Sequence, residues 1–192
     1  MARVRATTSG AKQRVLETAN RLFYQEGVRG VGIDRIIAEA DVAKMTLYSH
    51  FPSKDDLIVA VLRYRDERLA EFFSEAMQRH GKRTKDGLRA FFAVFKEFLE
   101  SPGFRGCAFQ NAAVELADPA HPGTQFAREH KRRFAAMLRG LVEQSCGAGA
   151  AKLVPAIALL VEGAVVTSLI DGKADAADVA RDAALNLVRA AK

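Results

Sequence analysis

Apolar side chains recur at helical spacing along almost the whole chain, and no stretch shows the two-residue alternation of a β-strand. The first helix is predicted to begin near Gly10 or Ala11, with Ser9 as a possible cap, and to stop at Gly27. Its apolar stripe consists of Val15, Leu16, Ala19, Leu22 and Phe23. The pattern predicts an all-α fold.

Three further helices complete the N-terminal part. The second is predicted over Ile33–Ala40, with Ile33, Ile36 and Ile37 buried, and the third over Lys44–His50. A fourth starts after Ser53, where Asp56 three residues later can complete a capping box. This order of elements predicts a compact unit over residues 9–69.

The remaining chain begins with an aromatic stripe and continues as helices. The stripe comprises Leu88, Phe91, Phe92, Phe95, Phe98 and Leu99. Ser101-Pro102-Gly103 breaks that helix. Four more helices are predicted near residues 106–117, 123–144, 151–170 and 175–190. These segments predict about nine helices in all, with residues 70–192 as a C-terminal bundle.

The charge adds an expectation about partners. The 192 residues carry a formal net charge of +6, which favours an anionic partner. Four basic residues precede Glu17, the first acidic residue, and they are Arg3, Arg5, Lys12 and Arg14. This arm can lie along DNA phosphates or remain solvated, and the sequence leaves both interpretations open.

Location and chemistry follow from what the sequence lacks. No secretory h-region opens the chain, so a cytoplasmic protein is expected. Residues 153–170 are strongly apolar, but Pro155, Glu162, Thr167 and Ser168 interrupt them, which favours a buried helix over a membrane span. Cys107 and Cys146 are expected to be simple thiols, without a metal or a cofactor.

One segment resembles a known family. It reads Val42-Ala43-Lys44-Met45-Thr46-Leu47-Tyr48-Ser49-His50-Phe51-Pro52-Ser53-Lys54 and is similar to the signature of TetR-type transcriptional regulators. Three residues depart from what the family usually has. They are Met45 within this segment and Asp41 and Gly32 before it. The resemblance implies an N-terminal helix-turn-helix domain and a C-terminal domain for effector binding and dimerisation. It also implies a homodimer on a palindromic DNA operator, most simply a repressor released by a small molecule.

The short third helix supplies the candidate DNA contacts. Val42, Leu47 and Phe51 are expected to anchor it. The groups left for DNA are Lys44, Met45, Thr46, Tyr48, Ser49, His50 and Lys54. Most of these offer hydrogen-bond donors to phosphates, whereas Lys44 can reach either a guanine edge or a phosphate, and Met45 can pack on a thymine methyl group. Arg29 and Arg35 can add phosphate contacts.

The middle of the chain is the predicted effector site. The candidate lining residues are Phe91, Phe95, Phe98, Phe109, Asn111, Glu115, Phe126, His130 and Met137. An aromatic stripe at this spacing can equally be plain core. Cys107, Glu115, His121 and His130 have separations too irregular to predict a metal site.

The last two helices are the predicted dimer surface. The candidates are Ala156, Leu160, Gly163, Ala164, Ala180, Ala184, Leu187 and Val188. The alternative is an ordinary intramolecular core.

No glycine-rich phosphate loop, nucleophile elbow or metal-ligand pair occurs, so an enzyme is not expected. A helical partner-binding or structural protein without specific DNA binding is the remaining alternative.

Overall fold

The computed structural model describes residues 2–82, 84 and 86–191, with the side chains of 2–9, 146 and 148 left out. The predicted basic arm at Arg3 and Arg5, the cap at Ser9 and the thiol of Cys146 therefore lie outside the described side chains. Within the described residues the chain forms nine α-helices, one 3₁₀ segment and no strand. The predicted fold class is confirmed.

The helices differ widely in length along the chain. They are α1 (Ala2–Glu26), α2 (Ile33–Ala40), α3 (Lys44–His50), α4 (Lys54–Gly81), α5 (Gly87–Leu99), α6 (Ala108–Leu116), α7 (Pro122–Cys146), α8 (Val154–Asp171) and α9 (Ala176–Ala190). The 3₁₀ segment spans Ala148–Leu153 and leads into α8. The predicted bounds of α2 and α3 are confirmed.

Two predicted helix starts are wrong. The backbone of α1 is already helical at Ala2. Gly10 lies inside this helix, where a glycine costs only about 1 kcal/mol relative to alanine and does not end the helix. The eighth helix starts at Val154 instead of residue 151, with Pro155 in its first turn. Proline lacks the N–H that a helix interior needs, so the residues before it adopt the tighter 3₁₀ form.

The chain divides into two compact units. The first unit combines the residues up to Arg68 with Ala108–Glu129, and the second combines Leu69–Cys107 with the residues from His130 onward. The predicted division at residue 69 differs in one respect. Residues 108–129, assigned from the sequence to the C-terminal bundle, pack with the N-terminal helices.

Each unit has its own apolar core. In the first unit Leu22, Ile36 and Leu47 are completely buried, whereas Ile33 and Ile37, both predicted to be buried, are more accessible to solvent. In the second unit the face of α5 packs with residues of α7, α8 and α9. Phe91 and Phe95 are stacked there with ring centroids 6.0 Å apart.

Asp41 holds a backbone conformation that L-residues avoid. It follows α2 at φ 49° and ψ 61°, in the left-handed region, and its N–H donates to the carbonyl of Ala38. Glycine adopts this conformation without the Cβ penalty.

Replacing Asp41 with Gly is therefore expected to raise the free energy of unfolding by about 0.5–1 kcal/mol, since the strain outweighs the added freedom of the unfolded chain. Urea denaturation of wild type and variant measures the change. Asp41→Ala is the matched control, because it removes the carboxylate but keeps Cβ. Equal stabilisation by Asp41→Ala would assign the effect to charge instead of backbone strain.

Candidate nucleic-acid interface

The third helix is held in place by buried side chains on its inner side and by an arginine of α1. Leu47 of α3 is fully buried, Phe51 just after it is 3% exposed, and Val42 before it is half-buried. Arg14 of α1 donates from Nε to the carbonyl of Ala40 (3.2 Å) and from Nη2 to that of Asp41 (3.3 Å). The guanidinium thereby satisfies carbonyl groups at the end of α2 and fixes the turn that leads into α3.

The opposite face of α3 is open. Met45 is 80% exposed, and Lys44, Tyr48 and Ser49 are also exposed, whereas Thr46 is half-buried. The hydroxyl of Ser49 donates to the carbonyl of Thr46 (2.8 Å), which leaves its lone pairs free to accept a hydrogen bond. This face combines an apolar tip with polar groups, and both kinds of group can contact base edges.

One ring nitrogen of His50 is not accessible to DNA. Its ring lies edge-on to Phe51 with centroids 6.4 Å apart. Its Nε2 atom is buried, and no hydrogen-bond partner for it occurs in the described part of the chain. A contact with phosphate in this rotamer therefore falls to Nδ1.

The start of α4 confirms the predicted Ser53 cap. The N–H of Asp56 donates to Ser53 Oγ (3.0 Å), and the Ser53 hydroxyl donates to Asp56 Oδ2 (2.6 Å). Lys54, the first residue of α4, is half-buried. Desolvation lowers the pKa of Lys54, while the charges of Asp55 and Glu115 act in the opposite direction.

Sequence reasoning missed the attachment of α6 to the turn between α1 and α2. Gly27 sits at φ +88° with the carboxylate of Glu115 so close that a Cβ atom would lie 2.5 Å from Oε2. The N–H of Arg29 donates to the same Oε2 (3.3 Å), and Nη2 of Arg29 donates to the carbonyl of Leu116 (2.9 Å). The glycine stop in the sequence was visible, but its distant partner was not.

The first unit also has a small cavity of about 20 Å³. Its wall includes Asn111 and Glu115 of α6, both predicted as effector contacts, together with Tyr24 of α1 and Arg65 of α4, which were not predicted. Arg65 lies over the Tyr24 ring, 3.8 Å from its centroid, and donates to Asn20 Oδ1 (2.8 Å). The volume suits a water molecule and is far below that of a preformed effector site.

The predicted effector residues do not share one unit. Phe109, Asn111, Glu115 and Phe126 belong to the first, and Phe91, Phe95, Phe98, His130 and Met137 to the second. Phe91 and Phe95 are buried core side chains, whose rings stack on each other and meet Phe92 edge to face. Phe98 and His130 are half-buried, and Met137 is exposed.

The predicted dimer residues also separate. Ala164, Ala180, Ala184 and Val188 are buried within the chain, because small residues let α8 and α9 pack closely on each other. These four predicted interface residues thus lie in the core of the chain itself. Leu160 and Leu187 are half-buried, while Ala156 and Gly163 are exposed.

The exposed side of α8 is apolar. Leu159 and Ile170 are 72% and 75% exposed, and Val166 lies between them. Residues Gly149–Asp171 are long and apolar enough, by length and composition alone, to cross a membrane. Of their most apolar stretch, 33% is buried within the chain. The predicted buried helix is therefore only partly covered by its own chain.

Two further suggested phosphate contacts are already engaged within the protein. Arg29 donates to the carbonyl of Leu116, and Arg35 is paired with Glu26 and Glu39. These partners hold both guanidinium groups within the first unit.

A short helix anchored on its inner side, open on its outer side and preceded by a tight turn defines a helix-turn-helix DNA-binding protein. Residues 15–61 match the family model for bacterial regulatory proteins of the tetR family, and residues 84–184 match that for the tetracyclin repressor-like C-terminal domain. The chain belongs to the TetR family of transcriptional regulators and is not an enzyme.

Individual relatives agree. A TetR-family transcriptional regulator of Streptomyces coelicolor superposes with a TM-score of 0.86 at 35% identity, covering 96% of this chain and 97% of that one. The HTH-type transcriptional regulator LmrA of Bacillus subtilis is 24% identical over 83% of this chain and 86% of its own. The HTH-type transcriptional activator FasR of Mycolicibacterium smegmatis is 34% identical, but the match spans 53% of this chain and only 46% of FasR.

The close fit at Gly27 predicts a coupled effect of two substitutions. Gly27→Ala is expected to lower the free energy of unfolding by about 2–3 kcal/mol, from left-handed strain and from the clash with Glu115. Adding Glu115→Ala removes the clash but not the strain, so the double variant is expected to be more stable than the sum of the single effects predicts. Urea denaturation of all four proteins measures the coupling, and simple additivity would contradict the contact.

Proposed function

We propose that this protein is a homodimeric, cytoplasmic transcriptional repressor that binds a palindromic DNA operator and is released by a small-molecule effector. Residues 9–69 serve as the DNA-binding domain and residues 70–192 as the effector-binding and dimerisation domain. The observation that carries the proposal is the exposed face of α3, held by the buried side chains of Leu47 and Phe51.

Repression is favoured over activation for a physical reason. Among the relatives FasR is named an activator, whereas DhaR of Mycobacterium is named a repressor. Occupying a promoter is enough to repress it, while activation needs a further surface for the transcription machinery. We therefore propose repression, which requires only that the promoter be occupied.

The contacts divide into two groups. Thr46, Tyr48, His50 and Lys54 bind phosphates and set the register of α3, and Lys44, Met45 and Ser49 face the base edges. The 80% exposure of Met45 supports a contact with a thymine methyl group.

Dimerisation supplies a second copy of α3 for the other half-site. One short helix presents too little surface for tight specific binding, so two-fold symmetry is expected, with half-sites about one helical turn, or a multiple of it, apart. The exposed stripe of α8, together with Ala156, Leu160, Gly163 and Leu187, is the proposed interface. The stripe is apolar and is not covered by the described part of its own chain.

Effector control requires a ligand that prefers a conformation unsuited to DNA. Phe98, His130 and Met137 are the proposed contacts in the second unit, because the core does not fully enclose them. The alternative of a helical partner-binding protein needs neither an operator nor an effector, and a DNA-binding titration separates the two functions.

The function is tested by gel-shift titration on the DNA flanking the gene, at several salt concentrations. Wild type is expected to bind a specific site above its non-specific level, and Lys54→Ala to bind all sequences more weakly, with a salt slope smaller by about 0.9. Lys173→Ala, which removes an exposed lysine of the second unit, is the matched control. Binding at the non-specific level alone would sink the repressor proposal, and an effect of Lys54→Ala on one base pair only would contradict its phosphate role.

The proposed interface is tested by adding a charge to it. Leu159→Glu is expected to convert the dimer into a monomer, because a carboxylate buried without a partner costs several kcal/mol. Light scattering coupled to size-exclusion chromatography measures the mass. Val114→Glu in α6 is the control, since Val114 is 78% exposed and lies in the first unit. A dimer that persists in Leu159→Glu would place the interface elsewhere.

A further inference from the structure

An aspartate lies beside α3, which is the recognition helix of the helix-turn-helix. Asp34 is in the first turn of α2, Lys44 is the first residue of α3, and Lys44 Nζ is 3.3 Å from Asp34 Oδ1. The side chains of Lys44 and Asp34 are 62% and 86% exposed. An ion pair this open to solvent contributes little to folding, so the stability of the unit does not account for it.

The carboxylate conflicts with a phosphate role for Lys44. A phosphate bound by Lys44 would stand close to Asp34, and the two negative charges would repel each other. Glu39 on the same helix differs, because Arg21 and Arg35 both neutralise it. Asp34 is instead paired with a cation that the recognition helix offers to DNA.

A base edge that presents an acceptor next to a donor removes the conflict. In the major groove guanine exposes the acceptors O6 and N7, and its partner cytosine exposes the N4 donor. O6 and N4 are hydrogen-bonded to each other, so they stand about 2.9 Å apart. The 3.3 Å between Nζ and Oδ1 is a similar spacing, and the ammonium group keeps donors for guanine beyond the one directed at Asp34.

We infer that Asp34 and Lys44 together read one G·C base pair in each half-site, Lys44 at O6 and N7 of guanine and Asp34 at N4 of cytosine. The inference rests on the proposed function and adds a base-reading residue from α2, outside the family motif. A T·A pair also places an acceptor beside a donor. In that pair, however, Lys44 meets a single acceptor beside the donor, either thymine O4 with its methyl group nearby or adenine N7, whereas guanine offers two acceptors, so G·C is the better match.

The test is selection of binding sites from a pool of random duplex DNA with the purified full chain. Wild type is expected to enrich a site in which the preference for one G·C pair per half-site depends on both Asp34 and Lys44. Asp34→Ala and Lys44→Ala are each expected to lose preference at this same pair by about tenfold, and to keep it at the other positions. Thermal melting followed by circular dichroism checks that both variants are folded.

A modified base isolates the lysine. Replacing the guanine of that pair with 7-deazaguanine removes N7 and is expected to weaken binding by wild type and by Asp34→Ala, with no effect on Lys44→Ala. Asp41→Asn is the charge control, because it removes a negative charge from the turn between α2 and α3. It is expected to strengthen binding to all sequences alike and to leave the preference unchanged.

The outcomes separate the two proposals. Failure of wild type to enrich any sequence would remove the proposed function and this inference with it. An enriched site at which Asp34→Ala changes no position would overturn the inference alone and leave the regulator intact. Asp34 and Lys44 acting on different base pairs, or a T·A preference at the shared pair, would overturn it as well.

Discussion

The DNA-binding face depends on the burial of two side chains, Leu47 and Phe51. An isolated helix shorter than about 12–15 residues is marginal in water, and α3 has only seven. Its backbone is helical because Leu47 is enclosed by the first unit and because Phe51 seals the exit toward α4. Arg14 fixes the other end by bonding the last carbonyls of α2 and the turn. Every side chain proposed to touch DNA from α3 therefore takes its position from contacts on the far side of the helix.

A distant segment completes this unit. Residues 108–129 join it through Glu115, which lies against Gly27, and through the bonds of Arg29 to α6. His121 adds a contact between its Nε2 and Asp55 Oδ1 at the start of α4 (3.2 Å). Its Nδ1 accepts the N–H of Gly123 (2.9 Å), so Nε2 carries the proton of the neutral ring. The turn before α2 and the start of α4 are thus both tied to one segment that lies far from them in the sequence.

The sequence predicted local features well and long-range partners poorly. The bounds of α2 and α3, the stop at Gly27 and the Ser53 cap each depend on residues within one helical turn, and all four are present. The candidate DNA contacts could be proposed because their motif is also local, although nothing in it indicated Asp34. Glu115 is remote from Gly27 in the sequence, and no periodicity encodes such a pair. Most of the predicted effector residues are aromatic and central in the chain, but hydrophobic spacing shows only that a side chain is turned inward and does not indicate which core it enters.

The same ambiguity governs α8. A helix that is apolar on all sides is buried on all sides, but the sequence does not distinguish burial by its own chain from burial by a partner. The small residues of α8 that face α9 are buried by their own chain, since Ala164 packs with Ala180 and Ala184 inside the core. Leu159 and Ile170 are not buried by their own chain, because they are open to solvent. The interruptions of this segment argue against a membrane span and leave water or protein as the medium, and large exposed aliphatic side chains in a row favour protein. The second copy of the chain proposed above would supply such a surface, with the two-fold symmetry that the proposed palindromic operator requires.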